Sequence, residues 1–375
     1  MIRMSRTLLI LALAFASLPV LSHAQDDRDA GAVFVMTNAA AKNEIIAYKR
    51  HADGSLSDAR SYSTGGRGSG GVTDPLASQG ALTLTQDGSL LLAVNAGSGD
   101  ISVFRVFGST LELVNKTPCG GSEPVAVAQH GNLVYVVNAG AASNVTGFRL
   151  RRSGDLDLIP HSTTFLTTGN SGASSLSFSP DGQTLLVTEK ITGNIDAFHV
   201  QADGTLAPIV ANPSAGPGLF GVLFAPNGTA LATETGPSGG HNASAISSYT
   251  VQANGTLTPI STSVPTLGAA TCWHVVTPDG HFVYTANAGS ATISGFSIAA
   301  NGALTPISAT VVATLPAGST NLDMALTADG KFLYTLDSGT GTVGIFAINA
   351  DGTLNSLPEA GGLSAASGFN GIAAI

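Results

Sequence analysis

Two glutamates, Glu189 and Glu234, stand at matching places along the chain, closing the segments VTE and ATE. A carboxylate pair beside a channel of low dielectric could serve as acid and base. His274 and His241 could supply a partner proton, and Arg67 and Lys190 could anchor an anionic substrate group. Asp337 and Asp323 add carboxylates, and Trp273 could act as a stacking platform. Each has a plainer role: a rim charge, a hydrogen-bonded histidine, a turn former. Glu189, Glu234 and Asp337 could also ligate Ca²⁺, because hard cations take carboxylate oxygens. No other cofactor is expected. The chain lacks a Gly-x-Ser-x-Gly elbow, a His-Glu-x-x-His or paired Cys-x-x-Cys spacing, and a phosphate-binding loop.

These residues sit on a phrase of about 50 residues that recurs along the chain, a spacing typical of radial repeats. One copy reads TPDG at 277–280, FVYTAN at 282–287, ISGFSI at 293–298 and NGALTPI at 301–307. The pattern is strand, Asp-Gly turn, strand, small-residue loop, strand, turn, strand. The second strands end at Asn38, Asn95, Asn138, Glu189, Glu234, Asn287 and Asp337. Those markers predict an all-β fold, a seven-bladed β-propeller of four-stranded blades. The first copy lacks its innermost strand, and residues 371–375 (GIAAI) read as that strand. The C-terminal strand should therefore join blade 1 and close the ring, leaving no open sheet edge.

Topology ranks the two faces. The marker residues share one face with the starts of the inner strands, at Gln79, Glu123, Ser174, Phe220, Trp273 and Leu322. The long connection 64–80, with Arg67 and Asp74, and the loop 236–245, with His241, fall there too. Elaborated loops on one side of a repetitive scaffold mark that face as the expected binding side.

The N-terminus carries Arg3 and Arg6, an apolar run to about Leu21, and Ser22-His23-Ala24. That pattern predicts a signal peptide over residues 1–24, a flexible leader over 25–31 and the propeller over 32–375. The expected location is periplasmic or secreted, with no membrane span after cleavage. With 24 acidic against 15 basic residues and only 10% charged, nucleic acid is an unsuitable partner. A small-molecule ligand or substrate fits better. Nothing in the sequence specifies an oligomer. Cys119 and Cys272 fall in blades nearly opposite each other, which argues against a disulfide.

The repeated SPDG-type turn, second strands such as LLAVNAG and FVYTANAG, third strands such as ISVFRV and ISGFSI, and the ADGTL tail resemble the seven-bladed β-propeller lactonase-like family. That family includes 6-phosphogluconolactonases and carboxy-muconate cyclases. The resemblance implies a propeller over the whole mature chain and a lactonase or cycloisomerase activity. The family's His-Pro-Arg-His-type stretch aligns with Gly172, Ala173, Ser174 and Ser175, where neither histidine nor arginine is present. Its Asn-Glu aligns at Glu189, and its Asn-Arg reads Asn287-Ala288. Two functions stay open: an extracytoplasmic lactonase-like enzyme using the residues above, and a non-catalytic propeller binding a small molecule, glycan or protein on the same face.

Overall fold

The computed structural model describes residues 30–237, 240 and 242–375. The signal segment, most of the leader and His241 lie outside the described residues. Seven antiparallel sheets form the blades, and no helix long and apolar enough to cross a membrane occurs among the described residues. Six blades have four strands. Blade 3 has five, because its outer strand is split: Leu156–Leu158 and Thr164–Phe165 pair separately with Asn144–Leu150.

The ring closes as the sequence predicts. The C-terminal strand Ile372–Ala374 is the innermost strand of blade 1 and pairs with Gly31–Met36, setting Val33 opposite Ala374 and Val35 opposite Ile372. Blade 1 begins at Gly31, which pairs with Arg50, one residue before the expected start. Closure is reinforced beyond the ladder. The Arg50 side chain donates to the Ile375 carbonyl at 2.9 Å. Tyr334 of blade 7 donates its hydroxyl to Gly54 of blade 1 at 2.9 Å. Tyr284 makes the corresponding bond to Gly352 in the next blade.

Face-to-face packing of blades buries both sides of the second strands, so polar/apolar alternation is lost. The strands Leu90–Asn95 and Phe332–Asp337 are buried at every position. Such runs are what two-sided burial selects. The turns after the inner strands follow one rule: Thr277 donates to Asp279 Oδ1, which also accepts the His281 amide, and Ser179 with Asp181 repeats it. Gly182, Gly280 and Gly330 each close such a turn with φ near +70°, a conformation that favours glycine. Cys119 and Cys272 are both free and buried.

Candidate functional site

The marker residues are structural staples. Glu189 is fully buried, and its carboxylate accepts the Thr167 amide at 2.8 Å, the Thr167 hydroxyl, and the Thr192 hydroxyl at 2.5 Å. Glu234 is 1% exposed and accepts Ser247 Oγ at 2.6 Å and Ser263 Oγ at 2.7 Å. Asn95 does the same work in blade 2 through Asn43, Thr64, Asp100 and Ser102. Glu234 ties the third strand of blade 5 to its own outer strand, whereas Glu189 and Asn95 tie their blades to loop residues of the preceding one. Neither glutamate faces the channel, and the two serve different blades.

Blade 4 adds a second carboxyl. Asp196 is fully buried beside Glu189, and burial, then the Glu189 charge, pushes its pKa up to about 8. It stays protonated near neutrality. Neither Asp196 oxygen has a hydrogen-bond partner among the described residues. The equivalent positions in blades 2 and 6 are Ser102 and Ser294, whose hydroxyls accept from the side-chain amides of Asn95 and Asn287.

The remaining sequence candidates divide. Asp337 is buried, accepts Thr335 Oγ1 at 3.0 Å, and is pushed well above the usual carboxylate range by desolvation. His274 is fully buried; its pKa is pushed down to about 3, so the ring is neutral and is no acid partner at physiological pH. Arg67 is exposed on the marker face, where its backbone amide donates to Ser98 Oγ. Among the described residues no three metal-ligating side chains converge, and Glu189, Glu234 and Asp337 stay in their own blades.

Lys190, Trp273 and Asp74 are brought together, but beneath a plug. Lys190 Nζ donates to the Ala77 carbonyl and lies 5.1 Å above the Phe220 ring. Phe220 in turn meets Trp273 edge-to-face at 5.1 Å. Trp273 is 1% exposed and donates Nε1 to the Ser78 carbonyl at 2.8 Å, so it is an anchor and not an open platform. The loop 64–80 makes the other halves of these contacts. Ser78 Oγ donates to Val125 in blade 3, and the Gln79 amide to Ser174 in blade 4. Gln79 Nε2 donates to the His274 carbonyl in blade 6 at 2.5 Å. Bonds to three blades around the axis can only be made from the axis. The loop expected to bind ligand therefore closes the marker-face mouth.

Open space lies on the other side of that plug. A cavity of about 440 Å³ runs along the axis to the Asp-Gly turns, with Gln86, Pro180, Pro226 and Pro278 at its rim. Gln79 and Asp323 line it from the plugged side. Its lining contains no lysine or arginine. Asp323 sits at a bulge between Leu322 and Met324, with φ +57°. Its Oδ1 accepts the Met324 amide at 2.9 Å. Burial pushes its pKa up to about 7, with the Asp74 charge adding to the rise. A carboxyl that titrates near neutrality inside a cavity of this size can move a proton to or from a bound molecule. The sequence placed Asp323 on the marker face; the signal for its position is the single charge in the inner strand NLDMAL, where the other inner strands are uncharged at the bulge.

The profile of the family described as "Lactonase, 7-bladed beta-propeller" matches residues 28–168 and 221–368. No curated protein matches. Among solved structures, a putative 6-phosphogluconolactonase from Bacteroides uniformis is 18% identical, with a TM-score of 0.67 over 93% of this chain and 100% of that one. The periplasmic gluconolactonase of Pseudomonas aeruginosa is 17% identical, with a TM-score of 0.70 over 92% and 99%. A putative 6-phosphogluconolactonase from Bacteroides fragilis is 20% identical, with a TM-score of 0.65 over 92% and 98%. Identities this low establish the shared fold.

Proposed function

The chain belongs to the seven-bladed β-propeller lactonase family, and from that premise we propose that it hydrolyses a small lactone in the axial channel, with Asp323 as the general base. The observation that carries this reading is a near-neutral carboxyl, Asp323, lining a 440 Å³ cavity free of lysine and arginine. In the reaction, ionised Asp323 takes a proton from water as the water oxygen attacks the lactone carbonyl carbon. The ring C–O bond breaks, and the proton passes to the departing ring oxygen. The product is a hydroxy acid, whose carboxylate the Asp323 charge would repel toward solvent in a cavity without lysine or arginine. The same charge balance favours an uncharged lactone over a phosphorylated one.

The reading places the protein outside the cytoplasm, on the strength of the Arg3-to-Ala24 segment. The test is hydrolysis of neutral and phosphorylated lactones by residues 25–375, beside Asp323→Asn. Turnover of neutral lactones that falls at least a hundredfold in the variant supports the reading; turnover unchanged by the variant, or absent throughout, overturns it.

A second reading, a non-catalytic binder, is favoured by one observation. Val72, Ile191 and Leu267 are 60%, 65% and 47% exposed on loops of the marker face, and exposed apolar side chains there suit a protein or glycan surface.

A further inference from the structure

We propose that the channel takes an uncharged lactone bearing an apolar chain, with the ring beside Asp323 and the chain lying toward the turn face. This rests on the lactonase reading, which it narrows to a substrate class. A second, outer cavity of about 600 Å³ adjoins the first at the turn face, and the two share Gln86, Leu223, Val275, Val276 and Pro278. The outer cavity adds Leu84 and Leu326 to its walls. The inner cavity has a mixed wall, and the outer one is mainly apolar.

Carboxylates line both cavities, and His130 is the one basic side chain in either lining. Asp323 lines the inner cavity, and Asp87 lines the outer one. Hydrogen bonds from Thr85 and Ser89 hold the Asp87 carboxyl below the usual range, so it is ionised. No lysine or arginine lines either cavity. A phosphate or carboxylate on the substrate would meet a negative charge at each end and no compensating cation. Polar wall groups such as Thr83, Ser177 and Gln129 line the inner cavity, where the ring would sit, and are absent from the outer one, where the chain would lie.

The apolar side chains supply the opposite term. Leu223, Phe224, Val275 and Val276 end their inner strands only partly buried, because no blade packs against their channel side. A methylene brought from water against such a wall gains about 0.8 kcal/mol, or about fourfold in binding. A chain several carbons long would therefore contribute more than any single polar contact in the passage.

The experiment measures KM and kcat along a series of γ-lactones with side chains from none to eight carbons, with a sugar δ-lactone for comparison. Calorimetric binding of the same compounds to Asp323→Asn runs in parallel. The expected result is a KM that falls about threefold to fourfold per methylene until the chain outruns the passage, with kcat nearly constant. In Leu223→Ala that dependence should flatten. Hydrolysis with a KM independent of chain length, or a preference for the sugar lactone, would overturn the apolar-chain site and leave the enzyme reading standing. Binding that strengthens with chain length in the absence of any hydrolysis would do the reverse. Neither binding nor hydrolysis along the series would sink both.

Discussion

Gln79 and His274 lie 195 residues apart, and the amide of one donates to the carbonyl of the other at 2.5 Å across the propeller axis. The bond joins the entry of blade 2 to the inner strand of blade 6 and makes the Gln79 side chain a crossbar. Replacing Gln79 with alanine removes that bond and leaves the His274 carbonyl without this donor. A loss of about 1–2 kcal/mol in unfolding free energy is expected from urea denaturation. A loss under about 0.3 kcal/mol would mean that solvent already reaches the crossbar.

Asp323 should govern both activity and part of the pH dependence of stability. Its folded pKa of about 7 stands above an unfolded value near 3.9. The native state therefore binds a proton that the unfolded chain releases. The corresponding stability is complete below about pH 4 and is lost as pH rises through 7. Lactone hydrolysis should rise over the upper part of that window, as the base ionises. Asp323→Asn should flatten the stability profile and abolish the rise in activity. Thermal melts from pH 4 to 9 and pH-rate profiles check the two halves separately.

The raised pKa of buried Asp196 gives a second, distinguishable window. Asp196 titrates at about 8 when folded, so its contribution falls between about pH 4 and pH 8, by at most about 1.4 kcal/mol per pH unit. Asp196→Asn removes the titration. At pH 8 to 9 this variant should melt higher than the parent, and at pH 4 to 5 the two should nearly coincide. A parent profile that Asp196→Asn leaves unchanged would show that burial does not raise the Asp196 titration.

Gly216 tests the staple in blade 5. A methyl group there would lie 2.2 Å from Glu234 Oε2 and 2.4 Å from Ser263 Oγ. Gly216→Ala should destabilise by about 1–3 kcal/mol, the range for overpacking a tight interior. The same variant should leave kcat for any hydrolysed lactone within about twofold, because Glu234 is remote from the channel lining. A large fall in kcat at full stability would return Glu234 to the chemistry.

The blades were legible because their signals are local. Each marker closes its second strand, each Asp-Gly turn organises four residues, and the orphan strand at 371–375 had one partner lacking in the first copy. The marker carboxylates were harder to read, because what occupies them comes from elsewhere. Thr167 reaches Glu189 from 22 residues earlier, and Ser263 reaches Glu234 from 29 residues later. The neighbour Asp196 was within reach of sequence logic, since Asn95 and Ser102, Glu189 and Asp196, and Asn287 and Ser294 share a spacing of seven. The plug was not. Loop 64–80 looked like a binding loop from its length, and only contacts with residues almost 200 positions away reveal that it fills the mouth it borders.

A tube stoppered by Gln79 and Ser78 has a single doorway. Whatever enters from the turn face must leave by the same route, so spent product stands between the next molecule and Asp323. On the lactonase reading, traffic through this ring is sequential, and repulsion of the carboxylate product by Asp323 is what clears the doorway for the next molecule. Two-ended propeller channels escape that queue; here the seven-fold scaffold gives the radial symmetry of a pore to what functions as a cup.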